Sequence, residues 1–152
     1  MIYIKSGAIT PLYDGPTMIK SDNWTLTNVN SMIDYVDEAL YYPNLMPLGI
    51  IGRIEMLHSI KMLSSVRNAM ARSGRYRSSV HLNSLYDHIC ALHERGRDEV
   101  SCDDLLALSI VIEVAQHRGT LSIVNAKVQS YLRWLANNVA ISSYLSNIEV
   151  TL

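Results

Sequence analysis

The sequence predicts a mainly α-helical fold: a compact bundle of about five helices, an extended N-terminal arm, and alternating ends suited to a short strand pair that joins the termini. Three observations predict it. All four prolines (Pro11, Pro16, Pro43, Pro47) lie in the first 47 residues, and the rest of the 152-residue chain has none, so it is free to be helical. Apolar residues then recur at intervals of three and four. Helix caps punctuate the same region at Ser101 and Gly119.

Taken in order, residues 1–30 read as the arm. Ile2 and Ile4 alternate with Tyr3 and Lys5 as in a short strand, and Asp14-Gly15-Pro16 signals a turn. The helical core spans 31–147. Its first helix is expected over Ser31–Leu40, where Ser31 and Asp34 resemble a capping box. A long helix then starts near Pro47 and ends near Gly74, with Met56, Ile60, Leu63, Val66 and Met70 as its seam.

A third helix runs over Ser79–His93, carrying Val80, Leu82, Leu85, Tyr86, Ile89 and Leu92, and Gly96 closes it. Ser101 opens the next, with Asp104 placed to reach back to the cap and Val100 placed to pack on Leu105. From Leu105 to Ala115 only Ser109 and Glu113 interrupt the apolar run, which suits the centre of a bundle. His117-Arg118-Gly119 is a good stop, since cations and glycine suit a helix C-terminus.

The last long helix is expected from a Thr120 cap, with Leu121, Val124, Val128, Leu132, Leu135 and Val139 on one stripe. Ser122, Asn125, Gln129, Arg133 and Asn137 fall on the other side. The tail, residues 148–152, alternates like a strand and is placed to pair with Met1–Lys5. The whole chain reads as a single domain.

Hydrophobic residues make up 49% of the chain and charged residues 18%, against roughly 25% charged in an ordinary domain. A disordered or collagen-like chain is excluded. Only two cysteines, Cys90 and Cys102, and no apolar leader at Met1 point to an intracellular protein with free thiols. No stretch of 18 uncharged apolar residues is present, so no membrane span is expected.

Catalytic and cofactor motifs do not stand out. The seven glycines are scattered, and no nucleophile elbow or His-Glu-x-x-His helix is found. The expectation is a non-enzymatic protein without a cofactor, the alternative being a small enzyme with no recognisable motif, since catalytic groups assemble in space rather than in sequence. Cys90 and His93 share a helix, with Cys102 and His117 further on. The last two would stand about 22 Å apart at 1.5 Å per residue, too far for one ion, so no metal site is assigned. His81 and His88, seven apart, suit a surface face.

Charge layout is the stronger signal, because a chain of net charge −1 carries opposed blocks. Residues 53–77 hold six basic residues against one acid, Glu55. Residues 78–104 hold Arg95 and Arg97 against six acids. Arg67, Arg72, Arg75 and Arg77 surround Tyr76, a combination in which guanidinium groups grip phosphates while the ring stacks on a base. Arginine forks equally suit carboxylates, and the acidic stretch 94–104 could supply them from the same chain or a second copy. The expected partner of Arg67–Arg77 is therefore an acidic protein surface or nucleic acid, RNA or DNA.

Self-association is the second expectation. Two seams suit a helical partner: Met56, Ile60, Leu63 and Met70, and Val124, Val128, Tyr131 and Leu135. The competing assignment is the bundle's own core. All seven methionines, which adapt to varied partners, lie in residues 1–70. Nine tyrosines and no phenylalanine add amphipathic rings suited to interfaces, with Tyr35, Tyr41 and Tyr42 clustered near the first helix. The sequence thus predicts a binding or assembly protein that forms homo-oligomers. By analogy of size and composition, its class includes viral accessory and matrix-like proteins.

Overall fold

The computed structural model describes residues 2–5, 18–21, 24–26, 45–47, 49–74 and 76–148. Among them the fold is mainly helical, with five helices. These are α1 (Ile50–Ser73), α2 (Ser79–Glu94), α3 (Cys102–Arg118), α4 (Ala126–Ala136) and α5 (Val139–Asn147). Four short strands accompany them: β1 (Ile2–Lys5), β2 (Met18–Ser21), β3 (Trp24–Leu26) and β4 (Thr120–Ile123). The helix expected over Ser31–Leu40, with Tyr35, Tyr41 and Tyr42 beside it, lies outside the described residues.

Local chemistry explains the helix ends. Gly74 stops α1 at φ 59, in the left-handed region where a side chain is strained. Ser101 and Asp104 form the capping box expected at the start of α3, with the Ser101 N–H donating to Asp104 Oδ2 at 2.9 Å. Gly119 ends α3 at φ 76. Asn125 opens α4 by accepting from the backbone N–H groups of Lys127 and Val128, and Asn138 does the same for α5 through Ala140 and Ile141.

α3 is the central helix, as its apolar sequence predicts. It packs on α1, β1 and β4, while α1 also packs on α2, α2 on α4, and α4 on α5. The main core joins residues of α1, α2, α3, β4, α4 and α5, and Val100 and Leu105 pack against it. A smaller cluster unites Met46 with Met56 and Ile60. There the Cys102 N–H donates to the Leu45 carbonyl, fastening the incoming chain to the first residue of α3.

The region after Gly119 corrects the expected helix. Residues 120–123 form a strand, not a first helical turn. Leu121 and Ile123 are buried while Thr120 and Ser122 are exposed, a period of two. Their backbone pairs antiparallel with β1, from Ile2 opposite Ile123 to Lys5 opposite Thr120. The N-terminal strand thus pairs, but with β4; the tail, residues 149–152, lies outside the described residues. The expected long final helix is also two helices, because Asn137 and Asn138 offer a C-cap and a fresh N-cap in succession. β2 and β3 form a second antiparallel pair with an irregular register between Ile19 and Ser21.

The two proposed self-association seams are core. Met56, Ile60, Leu63 and Met70 are buried on the inner side of α1, and Val128, Tyr131 and Leu135 on that of α4. Fully burying one such aliphatic side chain stabilises the fold by about 1.5–3 kcal/mol, which is why these stripes turn inward. Val124 is the exception, 70% exposed between β4 and α4. Apolar side chains that do remain outside sit elsewhere: Ile50, Ile51, Ile54 and Leu57 form the solvent side of the first two turns of α1.

Candidate nucleic-acid interface

α1 divides into two faces. Its inner side buries Met56, Ser59, Ile60, Leu63, Val66 and Met70. Its outer side, beyond the apolar first turns, is a shallow depression lined by Lys61, Ser64, Ser65, Asn68, Ala69 and Arg72. Lys61 and Arg72 are eleven residues apart, close to three full turns, so they lie on one line along the helix about 16 Å apart. Between them the side chains are short and mostly polar.

Ion pairing sorts the basic residues. Arg67 Nε donates to Glu113 Oε2 at 2.7 Å, joining α1 to α3. Arg95 and Arg97 both pair with the buried Asp103, and Lys127 pairs with Glu94 at the surface. Among the described residues Lys61, Arg72 and Arg77 enter no ion pair, and all three are exposed. The cations left to solvent in this part of the chain therefore lie along the outer side of α1 and in the turn after it.

The structure separates the five residues singled out in the arginine segment. Arg72 and Arg77 are on the surface; Arg75 lies outside the described residues. Arg67 is neutralised by Glu113. Tyr76 is only 6% exposed, and three contacts hold it against α3. Its hydroxyl donates to Glu113 Oε1 at 2.7 Å, and its carbonyl accepts from Arg118 Nε at 2.7 Å. Its ring stacks on His117 with centroids 3.8 Å apart. Tyr76 also lies beside Arg67 through their shared carboxylate. Burial and the Glu113 carboxylate raise the Tyr76 hydroxyl above the ordinary tyrosine range. Its ring is built into the joint between the α1–α2 turn and α3, so it offers no platform for a base.

The acidic stretch 94–104 is likewise partly internal. Asp103, fully buried, accepts from Arg97 at 3.1 and 2.9 Å and from Arg95 at 3.3 Å. Arg97 also donates to Ser101 Oγ, which lies 2.5 Å from Asp103 Oδ1. Asp104 accepts from the Ser101 N–H and, at 2.5 Å, from the Tyr131 hydroxyl. Burial first, then Asp104, raises the Tyr131 hydroxyl strongly. Buried carboxylates need such partners, and this knot ties the α2–α3 loop to α4. Asp98 and Glu99 remain exposed.

No three His, Cys, Asp or Glu side chains converge on a metal position among the described residues. Burial raises the Cys90 thiol, and its Sγ faces Asn125 Oδ1 at 3.9 Å. Among the same residues no helix is long and apolar enough to cross a membrane.

Sequence reasoning assigned Lys61 to the basic block without placing it at a site, and it passed over Ser64, Ser65 and Asn68. The signal was available in the helical period: these residues lie opposite the Met56–Ile60–Leu63–Met70 seam. No protein-family model, curated protein or solved structure matches the chain.

Proposed function

We propose that the chain is a non-enzymatic nucleic-acid-binding protein that holds the phosphate backbone on the outer side of α1. Lys61 and Arg72 grip it at two points, Arg77 adds a third, and Ser64, Ser65 and Asn68 donate between them. One observation carries this reading: neighbouring arginines are consumed by Glu113 and Asp103, while among the described residues Lys61 and Arg72, which line a polar depression, and Arg77, in the turn after α1, enter no ion pair. With Tyr76 committed to the joint, recognition runs through charge and hydrogen bonding to phosphate, without base stacking by that ring.

The test is purification without nuclease. The expected result is excess absorbance at 260 nm that high salt strips away, and its loss when Lys61, Arg72 and Arg77 are changed to glutamate. A variant that keeps its nucleic acid and its fold removes the assignment. Capture of an acidic protein by the same face, with no nucleic acid bound, transfers it to the protein partner.

Self-association is a second reading, moved from the buried seams to Ile50, Ile51, Ile54 and Leu57. Their exposure, 76% at Ile50, favours it. A light-scattering mass above 17.1 kDa that Ile54→Glu returns to that value supports it. A monomer at all concentrations removes it.

A further inference from the structure

We infer that the ligand of the α1 face is duplex DNA rather than a single strand, an inference that rests on the nucleic-acid reading above. Two features of the face select the duplex. The first is its shape. Lys61 and Arg72 stand on one line about 16 Å apart, and the residues between them, Ser64, Ser65, Asn68 and Ala69, are short. The B-form major groove is about 12 Å wide and admits an α-helix. A helix laid across its mouth sets one cation on each phosphate rail, while short side chains in the middle let the backbones approach without collision. In A-form RNA the major groove is narrow and deep, so a helix cannot be laid across it in the same way.

The second feature is what the face is made of. Its six lining residues are two cations, three hydrogen-bonding side chains and one alanine. The tyrosine nearest to it in the sequence stacks on His117 and donates to Glu113. Single-strand binders draw about 1–3 kcal/mol per base from aromatic stacking, which offsets the ordering of a flexible strand. A face of cations, hydroxyls and one amide supplies charge and hydrogen bonds but no aromatic stacking. Those suffice when the phosphates are already held in a rigid array, because the duplex backbone need not be ordered on binding.

The experiment is fluorescence anisotropy on the full chain with one labelled duplex DNA of about 20 base pairs, each of its strands alone, and the duplex RNA of the same sequence, starting at about 50 mM salt. The expected result is duplex DNA bound at least about tenfold more tightly than either strand or the RNA. With three phosphates neutralised, the slope of log K against log salt is about −2.7, a loss of roughly 40-fold between 50 and 200 mM. Lys61→Ala and Arg72→Ala, both at exposed positions, each bring that slope closer to zero by about 0.9. A strand that binds as tightly as the duplex overturns the inference and leaves the nucleic-acid reading standing. An RNA duplex that binds as tightly overturns the groove-spanning geometry in the same way. Binding to none of the four overturns the inference and the nucleic-acid reading together.

Discussion

The Tyr76 hydroxyl donates to Glu113 Oε1 at 2.7 Å, across 37 residues of sequence, while Arg67 occupies the other oxygen of the same carboxylate. One glutamate on α3 thereby fixes the turn after α1 and the last third of α1 itself. Glu113, one of two polar interruptions in an apolar run, is the acceptor on which the arginine segment is organised.

That relationship predicts a stability effect where base stacking by Tyr76 would predict an affinity effect. Tyr76→Phe removes a hydrogen bond to a charged acceptor but keeps the stack on His117. The expected loss is about 1.5–3 kcal/mol in urea denaturation. Nucleic-acid affinity of the folded variant should stay within about twofold, since the ring touches no ligand. A large affinity loss with unchanged stability would return Tyr76 to the binding face.

Leu63 and Val128 are both fully buried. Leu63→Asp or Val128→Asp should therefore unfold the chain, because a buried unpaired carboxylate costs several kcal/mol against a total stability of about 5–15 kcal/mol. Circular dichroism and light scattering together check this. A folded variant of lower mass would restore the helical seams as an interface between copies.

Asp103 gathers Arg95 and Arg97 with its own side chain fully buried. Asp103→Ala leaves both guanidinium groups facing a site without their acceptor, and the expected cost is about 3–5 kcal/mol. Asp98→Ala, four residues into the exposed loop after Glu94, should change stability by less than about 0.5 kcal/mol. Comparing the two melting midpoints separates the internal half of the acidic stretch from its solvated half.

Alkaline titration tests the two buried tyrosines. Both hydroxyls are raised in the folded state by burial and a neighbouring carboxylate, Glu113 for Tyr76 and Asp104 for Tyr131. A raised folded value means that the fold favours the protonated phenol. The associated stability is fully present below the unfolded tyrosine value of about 10 and is lost as pH rises above it. Tyrosinate absorbance should therefore contain a late component, from Tyr76 and Tyr131, that appears only as the chain unfolds. In Tyr131→Phe the late component should shrink by one residue.

Much of the helical frame was legible because its signals are local. Proline placement, the three-and-four spacing of α1 and the Ser101–Asp104 box depend on neighbours within one or two turns. Thr120–Ile123 was misread because four residues of mixed apolar and polar character suit either period. The pairing with Ile2–Lys5, more than a hundred residues away, decides for the strand. The break at Asn137-Asn138 was written in two adjacent cap formers but hidden by a continuing apolar stripe.

The candidate site was half legible. Arg72 and Arg77 are where a charge count puts them. Arg67 and Tyr76 are not, because Glu113 lies on another helix and only tertiary packing brings it to them. Linear charge density cannot distinguish a cation that faces solvent from one that is already paired.

The central claim is that Lys61, Arg72 and Arg77 form one phosphate-binding face, and the salt dependence of duplex binding tests it most directly. Binding constants for the unaltered chain and for the Lys61→Glu, Arg72→Glu, Arg77→Glu triple variant, measured across a salt series, should diverge. The unaltered chain should show a slope of about −2.7, and the folded triple variant no measurable binding. A triple variant that folds and retains both the affinity and the slope would contradict the claim and place the site elsewhere on the molecule.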